Sequence, residues 1–509
     1  MNSLWTETIS IPEREGLPGD IKTEAVVIGG GMAGILTARL LSESGVRTVV
    51  LEGDRIGSGQ TKNTTAKITS QHGLIYDGLA ERLGMEAAGQ YASANEKAIG
   101  EYRRMIKEYG IDCHFTESHA CLYSRKDEEK EERVTQEAAK RSGRESEKDG
   151  EMAGRLMREA ETAKALGIPA EFTTRTELPF PVSGAVRFHG QAHFHPLEFL
   201  KGAAEGLAVY ENTRVLSVED RQVRTERGTV SAERIVFACH YPFVNVPGYY
   251  FMRMYQERSY VLAVDTESPE GRGAFLPEGM YYGVDEDGLS FRSADGLLLV
   301  GGEGHRTGEN REGGRYGKLM ERAKGFWPGC REKFRWSAQD CMTLDGVPYI
   351  GRFSAKTPDW YVATGFGKWG MTNSMVSAML IRDSIIGREN PDAAVFSPER
   401  FTPAASAKKF VSGGLHSVRD LAREIFMQPR ALTEELPLGH GGVVEYEGKK
   451  VGVYKEESGE IHVVSVRCPH MGCQLEWNPD ERSWDCPCHG SRFDYTGKRI
   501  DNPAQEGIK

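Results

Sequence analysis

The sequence predicts an α/β domain with an interleaved α+β lobe and a small all-β module behind it. Three observations carry this. A glycine-rich turn sits between an apolar strand and a helix near residue 30, alternating runs over residues 170–300 read as strands joined by turns, and from Leu438 on short β runs alternate with Gly and Asn-Pro turns.

Taken in order, residues 24–28 (Glu-Ala-Val-Val-Ile) form a β-branched run that reads as a buried strand. Residues 31–44 read as a helix ending at Gly45, and residues 47–52 as a second strand. This βαβ unit opens a parallel, Rossmann-like sheet with a right-handed crossover. Residues 76–166 read as largely helical, a solvated helix pair that is heavily charged over 125–148 and belongs to an insertion capping the active site. The second lobe takes its strands from residues 209–219, 234–238, 260–265 and 297–300. The first sheet resumes at residues 360–364, followed by Gly365-Phe-Gly-Lys-Trp-Gly370 and a helix over 371–386. Residues 397–437 turn polar and read as a linker with one helix at 418–426, between Pro403 and Pro429. The expected division is 1–396, with dinucleotide-binding parts at about 20–75, 170–245 and 335–395 around the substrate lobe, then the linker, then the module at 438–509.

A chain of 509 residues accommodates about three domains. Its net charge of −10 leaves no overall attraction to nucleic acid or anionic membrane, so neither is expected as a partner. The N-terminus has no basic region followed by an apolar run, and the uncharged stretch at 25–38 falls short of the ~20 residues that span a bilayer. A cytoplasmic protein with no transmembrane segment is expected. The 59 glycines point to many close backbone approaches, as cofactor sites require. Nine cysteines are too few for a disulfide scaffold, yet four of them lie between 468 and 488.

Gly29-Gly30-Gly31-Met32-Ala33-Gly34 fits G-x-G-x-x-G in the strand–turn–helix context that gives the motif meaning. Gly29 permits the tight turn, Gly31 lets the backbone approach a pyrophosphate, and Gly34 lets helix and strand pack closely. Glu52, eighteen residues past Gly34, is placed to bind a ribose hydroxyl and disfavours a 2′-phosphate, which leaves FAD or NAD.

What separates FAD from NAD is the remainder of the chain. Residues 57–67 (Gly-Ser-Gly-Gln-Thr-Lys-Asn-Thr-Thr-Ala-Lys), 192–197 (Ala-His-Phe-His-Pro-Leu), 236–242 (Val-Phe-Ala-Cys-His-Tyr-Pro), 345–351 (Asp-Gly-Val-Pro-Tyr-Ile-Gly) and 363–372 (Ala-Thr-Gly-Phe-Gly-Lys-Trp-Gly-Met-Thr) resemble the D-amino-acid oxidase-like (DAO) superfamily of flavoenzymes, over about residues 20–390. The resemblance implies bound FAD, with Thr65, Ala66 and Lys67 near the flavin ring. It also implies Gly365 at the site, and Gly370, Met371 and Thr372 opening a helix aimed at the flavin N1/C2 edge, where charge collects on reduction.

Amino-acid oxidases of this family commonly carry a carboxylate-binding arginine in a W-x-x-x-R-P context before the D-G-x-P-Y-x-G run. Here the segment is Trp336-Ser-Ala-Gln-Asp340-Cys341. An acid replaces the arginine, and facing the pocket it would favour an amine over an amino-acid carboxylate; a buried cap or salt-bridge partner is the alternative. Tyr260, Arg292, His305 and Trp369 are the other pocket candidates, and no catalytic residue is assigned. His193 and His195 share one extended segment and are expected to be structural.

Near the C-terminus, Cys468-Pro-His470 and Cys486-Pro-Cys488-His489 read C-x-H, fifteen residues, C-x-x-H. Two Cys and two His at this spacing can give two thiolates to one iron and two imidazoles to another. Zinc is the competitor, but it needs no second cysteine in each loop, and zinc fingers pair Cys with Cys and His with His. The pattern resembles a Rieske [2Fe-2S] domain. The resemblance implies Cys468 and Cys486 on one iron, His470 and His489 on the other, and a Cys473–Cys488 disulfide between the loops. Ser491 matches a serine that bonds a bridging sulfide, whereas Phe493 stands where respiratory Rieske proteins often have tyrosine, which predicts a lower potential, within roughly −150 to +300 mV. The short covering loop at Asn502-Pro-Ala504 predicts a more exposed cluster. An iron site of two His and a carboxylate finds no match, since Asp112 is mis-spaced from His114 and His119.

As a whole the chain resembles bacterial FAD-dependent oxidoreductases with a C-terminal Rieske domain. That implies a dehydrogenase taking hydride from a small amine-type substrate and passing electrons through the cluster to an external one-electron acceptor. An O2-using oxidase with a structural or redox-sensing module, and an electron-transfer protein without a small substrate, remain the alternatives.

Overall fold

The computed structural model describes residues 2–126, 136–266, 276–400, 436–446 and 448–509. The expected linker helix at 418–426, and most of the charged stretch at 125–148, lie outside the residues whose packing is described.

The β-branched run that opens the chain becomes the strand Ile21–Ile28, in parallel register with Gly228–Phe237 on one side (Val26 opposite Ile235) and Thr48–Leu51 on the other (Val27 opposite Val50). Ala25 to Ile28 are all buried, as a strand covered on both faces requires. Thr357–Thr364 continues the parallel order and Tyr349–Ser354 closes it antiparallel. The helices Met32–Glu43 and Gly370–Ile385 pack against each other on this eight-stranded sheet.

The second lobe is a nine-stranded, mostly antiparallel sheet in which the long strand Met254–Asp265, next to one edge, runs between Arg331–Thr343 and Leu297–Arg306. One of its strands corrects the helix-pair reading of residues 76–166. Between the helices Tyr76–Tyr109 and Gln136–Ala165 lies Thr116–Arg125, which pairs with Val182–His193 and with Met280–Gly283. Its residues are buried consecutively from Ala120 to Ser124, so the period-2 signal is absent. Nor is the first helix merely solvated. Tyr91, Ala94, Ala98 and Tyr102 on Tyr76–Tyr109 are buried, and the helix packs on Gly370–Ile385.

The C-terminal module consists of a three-stranded and a four-stranded antiparallel sheet around Tyr454, Trp484, Leu475 and Phe493. A charged seam fastens it to the second lobe. Arg258, 1 % exposed, pairs with Glu481 at 2.8 Å, and Glu481 also accepts from Ser337 Oγ (2.6 Å) and Tyr316 Oη (2.8 Å). On the module side Arg492 reaches Asp485 and Asp501, both at 3.0 Å, and Glu481 at 3.4 Å. Beside it the Gln256 amide donates to the His489 carbonyl (2.7 Å) and the Gln339 amide to the Gly490 carbonyl (2.8 Å).

Candidate functional site

A cavity of about 970 Å³ runs from the glycine-rich turn to the junction of the lobes. Its geometry begins with two close approaches. Gly29 has φ +113°, and a Cβ there would meet the Ala238 carbonyl oxygen at 2.5 Å; a Cβ on Gly34 would meet the Gly29 oxygen at 1.9 Å. Gly31 lines the cavity at the helix N-terminus, with only Thr61 Oγ1 near a notional Cβ, at 3.3 Å. A phosphate can approach there. The Glu52 carboxylate accepts from the Gly30 N–H (2.6 Å) and the Asp54 N–H (2.9 Å) while lining the cavity; burial raises its pKa and those two donors oppose the rise.

Farther in, Thr65, Lys67, Gly365, Gly370 and Met371 also line the cavity. Lys67 Nζ donates to the Tyr281 carbonyl (2.8 Å) and to Ser290 Oγ (2.6 Å), and burial, with Arg292 nearby, pushes it down to about 7. Ala66 and Thr372 stand just behind the wall. The Ala66 carbonyl accepts from Arg292 Nη1 (2.9 Å), and Thr372 Oγ1 donates to the Thr69 carbonyl (2.9 Å). No side chain caps the N-terminus of Gly370–Ile385, so its first N–H groups have no side-chain partner. Trp369, just before it, stacks on His72 with ring centroids 4.9 Å apart, and His72 is held by Tyr91 Oη at 2.6 Å.

Asp340 does line the cavity. It stands directly across the strand pair from Glu257, whose carboxylate is 3.3 Å from Lys368 Nζ. Burial pushes the Asp340 carboxyl up to about 7, with Lys368 opposing and Glu257 adding to the shift. Lys368 thus pairs with Glu257 and acts on Asp340 by charge alone. Of the other pocket candidates, Trp369 lines this end, with Tyr282 at 5.1 Å between ring centroids. Tyr260 and His305 line the cavity too but pair with each other (3.0 Å) on the module side, where Asn310 donates to the Tyr260 oxygen. Arg292 is not in the wall: its guanidinium lies 5.5 Å from the Trp5 ring, behind Ala66. His195 caps the helix Pro196–Ala203 through Nδ1 and meets Thr8 Oγ1 at 2.8 Å, a structural role. His193 lies opposite Lys67 across a strand pair, and burial pushes it down to about 3. His114 and His119 make separate carboxylate contacts, with Glu198 and Asp295, and with Glu177, respectively.

In the module, Cys473 and Cys488 form a disulfide, while Cys468 and Cys486 are free and buried. The two free thiols share a hydrogen bond that pushes Cys468 down to about 7 and Cys486 up. The backbone N–H groups of His470 and Met471 also favour a thiolate at Cys468. The His470 and His489 rings stand 4.9 Å apart at 88°, and both Nδ1 atoms are buried without a hydrogen-bond partner. Burial keeps both rings neutral, pushed down to about 4 and 3. Two thiols and two unpartnered imidazole nitrogens are a donor set that suits a cluster with one Cys-held and one His-held iron. Cys473, Cys486 and Cys488 also lie together, but the disulfide removes two of them as ligands.

The expected exposure of this site is seen at His470, which is only partly buried, and not at the other three donors. Cys468 is 2 % exposed, Cys486 0 % and His489 6 %. The cover comes from the first domain: Asn245 Oδ1 lies 3.0 Å from His470 Nε2, and the Phe251 ring 5.8 Å from that of His489. Sequence reasoning missed Glu257, Lys368 and this cover. The only signal was polar residues inside strand and turn runs, such as Gln256-Glu-Arg258.

Comparison with known proteins gives the same two parts. Residues 24–384 match the FAD dependent oxidoreductase (DAO) family, and residues 427–509 the Rieske [2Fe-2S] domain. The Rieske 2Fe-2S iron-sulfur protein YhfW of Bacillus subtilis (strain 168) is 32 % identical over 100 % of this chain and 97 % of its own length. Gamma-glutamylputrescine oxidoreductase of Escherichia coli (strain K12) is 24 % identical over 72 % of this chain and 84 % of its own. Among solved structures, L-proline dehydrogenase from P. horikoshii superposes with a TM-score of 0.58 at 18 % identity, covering 76 % of this chain and 98 % of its own, a likeness of fold. Among the described residues no helix is long and apolar enough to cross a membrane.

Proposed function

Because this chain belongs to the FAD dependent oxidoreductase family and carries a Rieske [2Fe-2S] domain, we propose that it is a dehydrogenase for a small amine-type substrate, bound at the Asp340 end of the cavity. Bound FAD supplies a hydride acceptor, and the [2Fe-2S] cluster supplies one-electron delivery to an external acceptor. The chain's own residues do the remainder. Gly29, Gly31 and Gly34 admit the dinucleotide and Glu52 takes its ribose. Thr65, Lys67, Gly365, Gly370 and Met371 surround the flavin end, with Ala66 and Thr372 holding that wall from behind. Cys468 and Cys486 hold one iron, and the free Nδ1 atoms of His470 and His489 the other.

The observation that carries the substrate class is the acid pair. With Lys368 paired to Glu257 and Asp340 across the strand pair from Glu257, this group of three carries a net negative charge when both acids are ionised. It attracts an ammonium and repels a carboxylate. An ammonium must lose a proton before its α-carbon can give up hydride, and Asp340, pushed up to about 7, is poised to take it near neutral pH. Trp369 and Tyr282 provide the apolar walls beside it. A relative named for a putrescine derivative supports the same class.

The test is anaerobic stopped-flow absorbance with a panel of small amines and their amino-acid counterparts. Flavin bleaching by amines only, rising with pH through about 7 and flattened in Asp340→Asn, is the expected result. Bleaching by amino acids alone overturns the substrate class. Photoreduction in the same instrument addresses delivery: a flavin that stays reduced beside an oxidised, dithionite-reducible cluster rejects the relay, and peroxide formation under air points to an oxidase.

A further inference from the structure

The cavity wall opposite the glycine-rich turn does not come from the family domain. Lys498, Arg499, Ile500, Asp501, Asn502 and Gln505 of the iron-sulfur module line the same cavity as Gly29, Gly31 and Glu52. They are anchored there. Gln60 Nε2 donates to Asp501 Oδ1 (3.0 Å), Asn502 Nδ2 to the Cys239 carbonyl (3.2 Å), and Arg214 Nη1 to the Gln505 carbonyl (3.5 Å).

Two guanidinium groups on this wall lack what arginines inside proteins ordinarily have. The Nε atoms of Arg214 and Arg499 are buried with no hydrogen-bond partner, as is that of the ion-paired Arg258, and what sets the two apart is the want of a carboxylate. Arg499 donates from Nη1 to Asn502 Oδ1 at 2.5 Å, a neutral acceptor, and Arg214 bonds only a carbonyl. Neither is ion-paired among the described residues; of the acids that act on Arg499 by charge, Asp501 is held by Arg492 at 3.0 Å and Glu52 already takes two backbone N–H groups. Burial, and then Arg214, hold the Arg499 pKa below the usual arginine range. Two unpaired cations close enough to repel each other beside one cavity are costly unless an anion belongs with them. A helix N-terminus and an open glycine face the same space.

We propose that the iron-sulfur module completes the dinucleotide site. Arg499 from the module and Arg214 from the first domain close on the diphosphate of FAD and supply its counter-charge, so that tight flavin binding requires the docked module. Arginine forks suit phosphate oxygens by geometry as well as charge.

The test uses the full chain with its cluster, stripped of flavin and titrated with FAD or with riboflavin, which lacks the diphosphate, while flavin fluorescence is followed. Arg499→Ala and Arg214→Ala should each raise the FAD Kd at least ~10-fold. The riboflavin Kd should stay within about twofold, and Arg499→Lys should recover part of the loss. The cluster's visible and EPR spectra report whether the module is intact in each variant. An unchanged FAD Kd in Arg499→Ala with an intact cluster overturns the proposal, and so does an equal loss for riboflavin. Should Arg499→Ala lose its cluster, Arg214→Ala decides, because it lies outside the module: an unchanged FAD Kd there overturns the proposal as well.

Discussion

Two pairs of arginines stand along one module boundary and differ in a single respect. Arg258 and Arg492 are enclosed by Glu481, Asp485 and Asp501, every charge answered within 3.4 Å. Arg214 and Arg499 have no carboxylate partner among the described residues. The same chain thus shows what it does when an arginine is there to hold protein together, and leaves the other pair unanswered beside a cavity large enough for a dinucleotide. The difference teaches that an unpaired charge is informative only beside neighbours of the same type that are paired.

The largest way to break the comparison is Glu481→Ala. It leaves Arg258 and Arg492 short of a shared partner in a buried seam, and should cost about 3–5 kcal/mol in urea unfolding followed by cluster absorbance. A loss under about 1 kcal/mol would make the seam an exposed-type ion pair and remove the contrast. The pH sign follows the same carboxylate. Burial alone would raise Glu481, but Arg258 and Arg492 outweigh it and hold it below the usual glutamate range. Its contribution is therefore complete above that range and is lost as pH falls through the lowered value.

Removing the disulfide sharpens the contrast by separating module integrity from docking. Cys473→Ser with Cys488→Ser releases a crosslink between positions 15 residues apart, worth about 3 kcal/mol by chain entropy. Thermal unfolding monitored at the cluster band should move down while the seam contacts, and the response to Glu481→Ala, stay as before. Non-additive losses in the combined variant would show that seam and loops are one unit.

The smallest effect lies inside the cavity. Asp340 is held up at about 7, so the folded chain keeps a proton that the unfolded chain has released in the interval between the usual aspartate range and 7. Stability falls as pH rises through that interval. In flavin-free protein Asp340→Asn should therefore be more stable than the parent at pH ~8 and about equal near pH ~4. A constant difference at both pH values would mean that Lys368 keeps the carboxylate ionised throughout.

These contrasts also mark which parts were legible in the sequence. The Gly29–Gly34 turn and the Cys/His pairs declare themselves because their chemistry needs fixed short spacings. The acid at 340 was legible as a departure from a family pattern, though its partner Glu257, 83 residues away, was not, because cross-strand neighbours have no spacing rule. The seam and the arginine pair depend on residues far apart in the chain, such as Arg258 with Glu481, 223 positions apart. The cluster's cover was misjudged for the same reason. A short loop at Asn502-Pro-Ala504 says nothing of Asn245 and Phe251 arriving from elsewhere. The strand Thr116–Arg125 was hidden by consecutive burial, which erases alternation.

The wall that the module lends to the cavity bears on how the protein matures. Residues 498–505 reach the cavity only once the module has taken shape, and loops that carry four metal donors take their shape around metal. Iron supply during growth should then be visible in flavin content: preparations from iron-starved cells would be pale in both chromophores at once, and adding FAD alone would restore neither colour.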